Sequence, residues 1–192
     1  MNARMDTETR KGQILEAALN IVHKKGIGSL TLREIADSVG VSEAALFRHF
    51  KGKEDIVDSL ASMVFDENQF YPKGEGTWRA LENMLVWQLE LFQKNPLHTS
   101  VLFQEDIFRE FPSVKARFDL RRSSRASLIR QLVREGQHDG SFAGDIDGEA
   151  FSLMLMGSIR MAVLEWRHAD FSYDLRAKSA PLLKLLRKSL EA

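Results

Sequence analysis

The chain has 192 residues, 44% of them hydrophobic, with 27 basic side chains balanced by 27 acidic ones and no cysteine. That apolar content suits one or two compact domains and excludes a mostly disordered chain, while the lack of cysteine excludes disulfides, thiol redox sensing and thiolate zinc sites. No stretch approaches the roughly 18 to 20 apolar residues needed to span a bilayer, and the polar start MNARMDTETRKG has no signal core, so a cytoplasmic protein with no membrane partner is expected.

Residues Thr31 to Lys53, TLREIADSVGVSEAALFRHFKGK, read as two short helices joined by a glycine turn and followed by a basic helix start. Thr31 and Glu34 have the spacing of a capping box, in which the hydroxyl accepts from the Glu34 amide and the carboxylate returns to the Thr31 amide. Ile35, Ala36 and Val39 line one face, and Gly40 supplies the left-handed backbone that ends a helix without a Cβ penalty. Val41 plugs the turn, Ser42 caps the second helix, and Leu46 and Phe50, four apart, face the core. The remaining face carries Glu43, Ala44, Ala45, Phe47, Arg48 and His49, a mix suited to a major groove about 12 Å wide. A glycine turn between two helices is not by itself specific to DNA. Charge points the same way: through Lys53 there are nine basic residues against six acidic ones, net +3, which leaves the remainder at −3.

The next helix is expected from Lys53 to about Asp66, ending near Asn68. FYPKGEGT then marks a boundary between domains 1–68 and 69–192. Trp78 to Lys94 repeats apolar residues at Leu81, Met84, Leu85, Leu89 and Phe92, with Gln88 as a polar interruption, until Asn95 and Pro96 break the run. A helix over Leu97–Phe111 is stopped by Pro112, and Ser113 caps a long helix to about Gln137. Its arginines, Arg117, Arg121, Arg122, Arg125, Arg130 and Arg134, read as a solvated face opposite Phe118, Ile129, Leu132 and Val133.

From Asp147 to His168 the chain is apolar on nearly every side, so a helix there must be covered all round. The simplest cover is its own subunit on one side and a second copy on the other, with Gly157 allowing close approach. The last segment, with Leu175, Leu182, Leu183, Leu185, Leu186 and Leu190, supplies the other half of that surface, and Pro181 either kinks it or starts a new helix. With no run of alternating β-branched residues, the fold is expected to be all-α: an N-terminal helix-turn-helix DNA-binding domain plus a C-terminal helical regulatory and dimerisation domain.

The capping threonine, the arginine after it, the turn glycine, SEAALFRHF and the following lysine occur in an order that closely resembles the DNA-binding domain of the TetR family of bacterial transcriptional regulators. RKGQILEAALNIVHKKG before the pattern and KGKEDIVDSLASMVF after it resemble that family's flanking helices, and HDGSFAGDID extends the likeness weakly into the C-terminal part. By position, the resemblance implies phosphate or backbone contacts for Thr31, Arg33, Ser42, Phe47, His49 and Lys53, and base-edge contacts for Glu43, Ala44 and Ala45. Phe47 stands where tyrosine is usual; lacking a hydroxyl, it is left with apolar contact to sugar or a thymine methyl, and Arg48 could compensate. Glu43 either accepts from a cytosine amino group or points away as a capping charge.

The resemblance also implies a homodimer on a palindromic double-stranded operator, released by a small molecule. Met84, Gln88, Phe92, Phe103, Phe108, Phe118, Met154 and Trp166 are candidates for an apolar pocket, although most such residues are core in any bundle. A mainly hydrophobic effector of unknown identity follows. No cofactor or metal is expected, because the five histidines are scattered without an i,i+4 pair. Neither a GxSxG elbow, a phosphate-cradling glycine loop nor an HExxH helix is present, so no enzyme is expected. The alternative is a nucleoid-occlusion-like DNA-binding protein acting through a protein partner.

Overall fold

In a computed structural model the described residues are 7–67, 70 and 76–191, and among them there are helices and turns but no strand. The α-helices are α1 (Thr7–Lys25), α2 (Leu32–Val39), α3 (Glu43–Leu46), α4 (Lys53–Glu67), α5 (Thr77–Lys94), α6 (Thr99–Leu102), α7 (Glu105–Glu110), α8 (Pro112–His138), α9 (Gly148–His168) and α10 (Ser179–Leu190). None of them is long and apolar enough to cross a membrane.

The described residues group into two compact units, those within Met1–Glu67 and Leu97–Phe118, and those within Asn68–Pro96 and Asp119–Ala192. A cut at 68/69 lies outside the described residues. The 97–118 segment joins the N-terminal helices because its apolar residues Val101, Leu102, Ile107, Phe111 and Val114 are buried there.

In the first unit α1 packs on α2, α4 and α6 through Ile14, Ala18, Leu19, Ile21 and Val22, with His23 Nδ1 2.9 Å from Ser100 Oγ. Leu97–Phe111 is not one helix. It divides into a 3-10 turn at Pro96–His98, then α6 and α7, with a break at Phe103 and Gln104. α7 ends at Glu110 ahead of Pro112, which also opens α8, because the first helical turn needs no amide donor. Ser113 Oγ is thereby free to donate to Asp58 Oδ1 at 2.7 Å.

In the second unit α5 packs against α9, α10 and the 3-10 turn Leu175–Lys178. Asp147 caps α9 by accepting from the Glu149 and Ala150 amides. Pro181 lies in the first turn of α10, where it neither kinks nor interrupts. The arginines of α8 do not share one environment: Arg117, Arg122 and Arg134 are exposed, Arg130 pairs with Glu149 at 2.9 Å, and burial with like-charged Arg121 one turn away pushes the Arg125 guanidinium down to about 10.

Gly136 inside α8 has a packing reason. A Cβ there would lie 2.2 Å from Cδ2 of the buried Phe142 ring, whose amide donates to the Gly136 carbonyl. Gly136→Ala is expected to lower the unfolding free energy by about 1–3 kcal/mol despite alanine's better helix propensity. Gly12→Ala, where the space is open, should be neutral or gain up to about 1 kcal/mol. Urea unfolding of both variants checks the contrast.

Candidate nucleic-acid interface

Thr31 caps α2 as its sequence position requires, its Oγ1 accepting from the Glu34 amide at 3.1 Å. The other half of the capping box is replaced: the Glu34 carboxylate takes Lys25 Nζ, a charge-assisted partner stronger than an amide. Gly40 ends α2 at φ 72°, ψ 38°. Its amide donates to the Asp37 carbonyl at 3.3 Å and that of Val41 to the Ala36 carbonyl at 3.0 Å, the paired bonds of a Schellman motif. The turn is therefore closed by backbone bonds, with Val41 half-buried in it.

Ser42 caps α3 through the Ala45 amide at 3.3 Å, and Leu46 and Phe50 are buried at 1% and 5% exposure. Regular helix ends at Leu46. The amides of Arg48 and His49 donate three residues back to Ala45 and Leu46, and that of Phe50 four back to Leu46, so the reading segment tightens into a hydrogen-bonded turn after Leu46. Asp55 anchors its far end by accepting the Lys51 amide at 2.8 Å.

The candidate contacts divide by exposure. Thr31, Arg33, Ser42, Glu43, Ala44, Phe47 and Arg48 are exposed, whereas Ala45, His49 and Lys53 are half-buried. Phe47 stands 56% open to solvent on the reading segment. His49 turns Nδ1 into the protein, where it is buried without a hydrogen-bond partner among the described residues. Its ring lines a groove of about 320 Å³ with Glu8, Lys11, Leu15, Phe50, Asp55 and Ser59, a volume that admits several waters. Lys53 Nζ is 2.7 Å from Glu110 Oε1 and 5.5 Å from the Phe111 ring centre. That partner lies 57 residues along the chain, and no local pattern announces it.

The eight candidate pocket residues are divided between the two units. Met84, Gln88 and Phe92 share the buried face of α5 at one-turn spacing. Trp166 is 1% exposed, and its Nε1 donates to the Tyr173 carbonyl at 2.7 Å. Phe103, Phe108 and Phe118 are half-buried in the first unit, where the rings of Phe108 and Phe118 lie 4.6 Å apart. Met154 is 41% exposed on the outer side of α9, beside Leu153 at 75%. Within one chain α9 is therefore covered on one side only, and Met161, at 58%, continues the open stripe. Among the described residues no group of three His, Asp or Glu could hold a metal ion.

Residues 14–60 match the family profile described as bacterial regulatory proteins, tetR family, and residues 121–189 match that of the YsiA-like protein C-terminal region. The nucleoid occlusion factor SlmA of Aliivibrio fischeri (strain MJ11) is 25% identical over 171 residues, 86% of this chain and 87% of that protein. The HTH-type transcriptional repressor BepR of Brucella suis biovar 1 is 26% identical over 195 residues, 96% of this chain and 93% of its own. The transcriptional regulator FadR from Bacillus subtilis, solved in complex with stearoyl-CoA, superposes with a TM-score of 0.72 at 21% identity, covering 94% of this chain and 99% of that one, a likeness of fold. An exposed reading segment on a Schellman-closed turn, followed by an all-helical second unit, agrees with both profiles: the chain belongs to the TetR family of bacterial transcriptional regulators.

Proposed function

We propose that the protein is a homodimeric repressor that binds a palindromic operator and is released by a small, mainly hydrophobic molecule. The observation that carries this reading is the pairing of an exposed reading face with an exposed apolar stripe on α9. The stripe comprises Leu153, Met154 and Met161; on α10, Leu185 is also open, at 65% exposure. Contiguous apolar surface of this kind marks an interaction site, and a two-fold pair of such chains would present two reading segments to half-sites about one turn apart. BepR is named a repressor and FadR was solved with an acyl-CoA, which favours repression and an apolar effector here.

Glu43, Ala44 and Ala45 are assigned to base edges, and Thr31, Arg33, Ser42, Phe47, Arg48, His49 and Lys53 to the backbone. Met84, Gln88 and Phe92 on α5 are the strongest pocket residues, a buried amide among apolar groups being suited to orient a ligand. A second reading, a nucleoid-occlusion-like protein acting through a protein partner, is favoured by the likeness to SlmA.

Selection of bound sequences from a random duplex library should yield a palindrome bound at least about a thousandfold more tightly than scrambled DNA at physiological salt. Changing Ala44 or Ala45 should then alter the preferred sequence, while Lys53→Ala should weaken all sequences alike. Recovery of no preferred sequence would overturn the reading. Many dispersed chromosomal sites, in place of a few promoter sites, would favour the second reading.

A further inference from the structure

We infer that Glu110 restrains Lys53 and thereby lowers the protein's affinity for DNA from a position outside the helix-turn-helix. The inference rests on the reading of Lys53 as a phosphate contact.

Lys53 opens α4, where the positive end of the helix dipole disfavours a cation unless a counter-charge is close. Glu110, at the end of α7, supplies it: Nζ and Oε1 are 2.7 Å apart, and the ammonium also lies 5.5 Å from the Phe111 ring centre. The carboxylate is held on firm support. Directly after it in sequence, Ser113 Oγ donates to Asp58 and Arg117 to the Ser62 hydroxyl, so the start of α8 is tied to α4 at two further positions.

The two side chains remain 30% and 42% exposed, which leaves the pair open to exchange with an incoming phosphate. An ammonium has three donors and can keep Glu110 while donating to DNA. Its charge, however, is then largely neutralised before the phosphate arrives, and little counterion is released on binding. Glu110 and a phosphate therefore compete for one cation.

The test is the full-length Glu110→Gln variant, titrated between about 50 and 200 mM salt on two labelled duplexes, the selected operator and a random sequence. Binding should tighten about two- to fivefold at the low end, the range of an exposed ion pair. The slope of log K on log salt should steepen by about 0.9 per subunit. Both duplexes should show the gain, since a phosphate contact is blind to sequence. In a Lys53→Ala background the same substitution should gain nothing.

An unchanged or weaker affinity in Glu110→Gln would overturn the inference. So would a gain that survives Lys53→Ala, because Glu110 would then act only as a general negative charge. Glu110→Asp, one methylene shorter, should gain less in the same direction, and it serves if glutamine unsettles the helix end. If Lys53→Ala binds both duplexes as well as wild type does, the phosphate reading itself fails and the inference falls with it.

Discussion

Met161→Glu is expected to yield a folded monomer whose affinity for the operator is about a thousandfold lower, the avidity that two linked reading heads supply. Met161 stands 58% exposed on α9, and Leu153, Met154 and Gly157 continue the same side at intervals of three and four residues. A Cβ built on Gly157 meets nothing within 4 Å, so a neighbouring helix can approach closely there. Burying each Leu or Met of the stripe would contribute about 1.5–3 kcal/mol. At a two-fold interface every residue counts twice, so a glutamate would bring two unpaired charges into a dry contact. Because the Met161 side chain lies mostly outside its own subunit's core, the fold should survive. Molar mass from sedimentation, with circular dichroism as the control for folding, separates the outcomes. A dimer that persists in Met161→Glu would place the partner surface elsewhere.

Trp166→Ala should lower the unfolding free energy by about 3–5 kcal/mol, the largest stability effect expected of a single substitution here. The indole is 1% exposed, donates to the Tyr173 carbonyl at 2.7 Å and meets the Phe171 ring edge-on at 4.7 Å. Those contacts hold a turn in which Asp170 and Phe171 both have positive φ, at 49° and 58°. Left-handed backbone costs a side chain with a Cβ roughly 1–2 kcal/mol, and of these two residues only the aspartate tolerates it readily. The Phe171 amide donating to the Trp166 carbonyl at 2.9 Å and the ring stacking offset that cost. Trp166→Phe keeps most of the apolar volume and loses the donor, so it should cost about 1–3 kcal/mol, much of it the unsatisfied carbonyl. Denaturant midpoints at constant m value measure both. A loss below about 1 kcal/mol in Trp166→Ala would show that the indole is not part of the core, and a role against a ligand would then stand in its place.

Much of the reading unit was legible in the sequence because its determinants are local. A threonine hydroxyl three residues from an amide, a glycine that alone enters φ 72° without strain, and apolar residues four apart each act within one helical turn. The same logic placed α9, expected from Asp147 and observed from Gly148 to His168. It missed the short extent of α3, where tight three-residue bonds close the segment after Leu46. It also missed the break in the 97–111 run, because apolar periodicity continues through Phe103 whether or not the backbone does.

The candidate pocket was legible only in part. Met84, Gln88 and Phe92 share one face because helical spacing forces them to. Nothing local says that Phe103, Phe108 and Phe118 pack with the N-terminal helices, or that Met154 looks outward. A helix apolar on every side carries no internal mark of which side meets its own core.

By itself, then, the sequence determined the helices of the reading unit, their caps and turn, the all-α class and the family, since each depends on interactions within about four residues or on motif order. Only the tertiary structure decided that Glu110 holds Lys53, that Glu34 pairs with Lys25, that Trp166 is bound into a turn and that Leu153 and Met161 are left open. Those pairings join residues that the chain brings together only when distant apolar faces have been buried, and no spacing in the sequence encodes the register in which they meet.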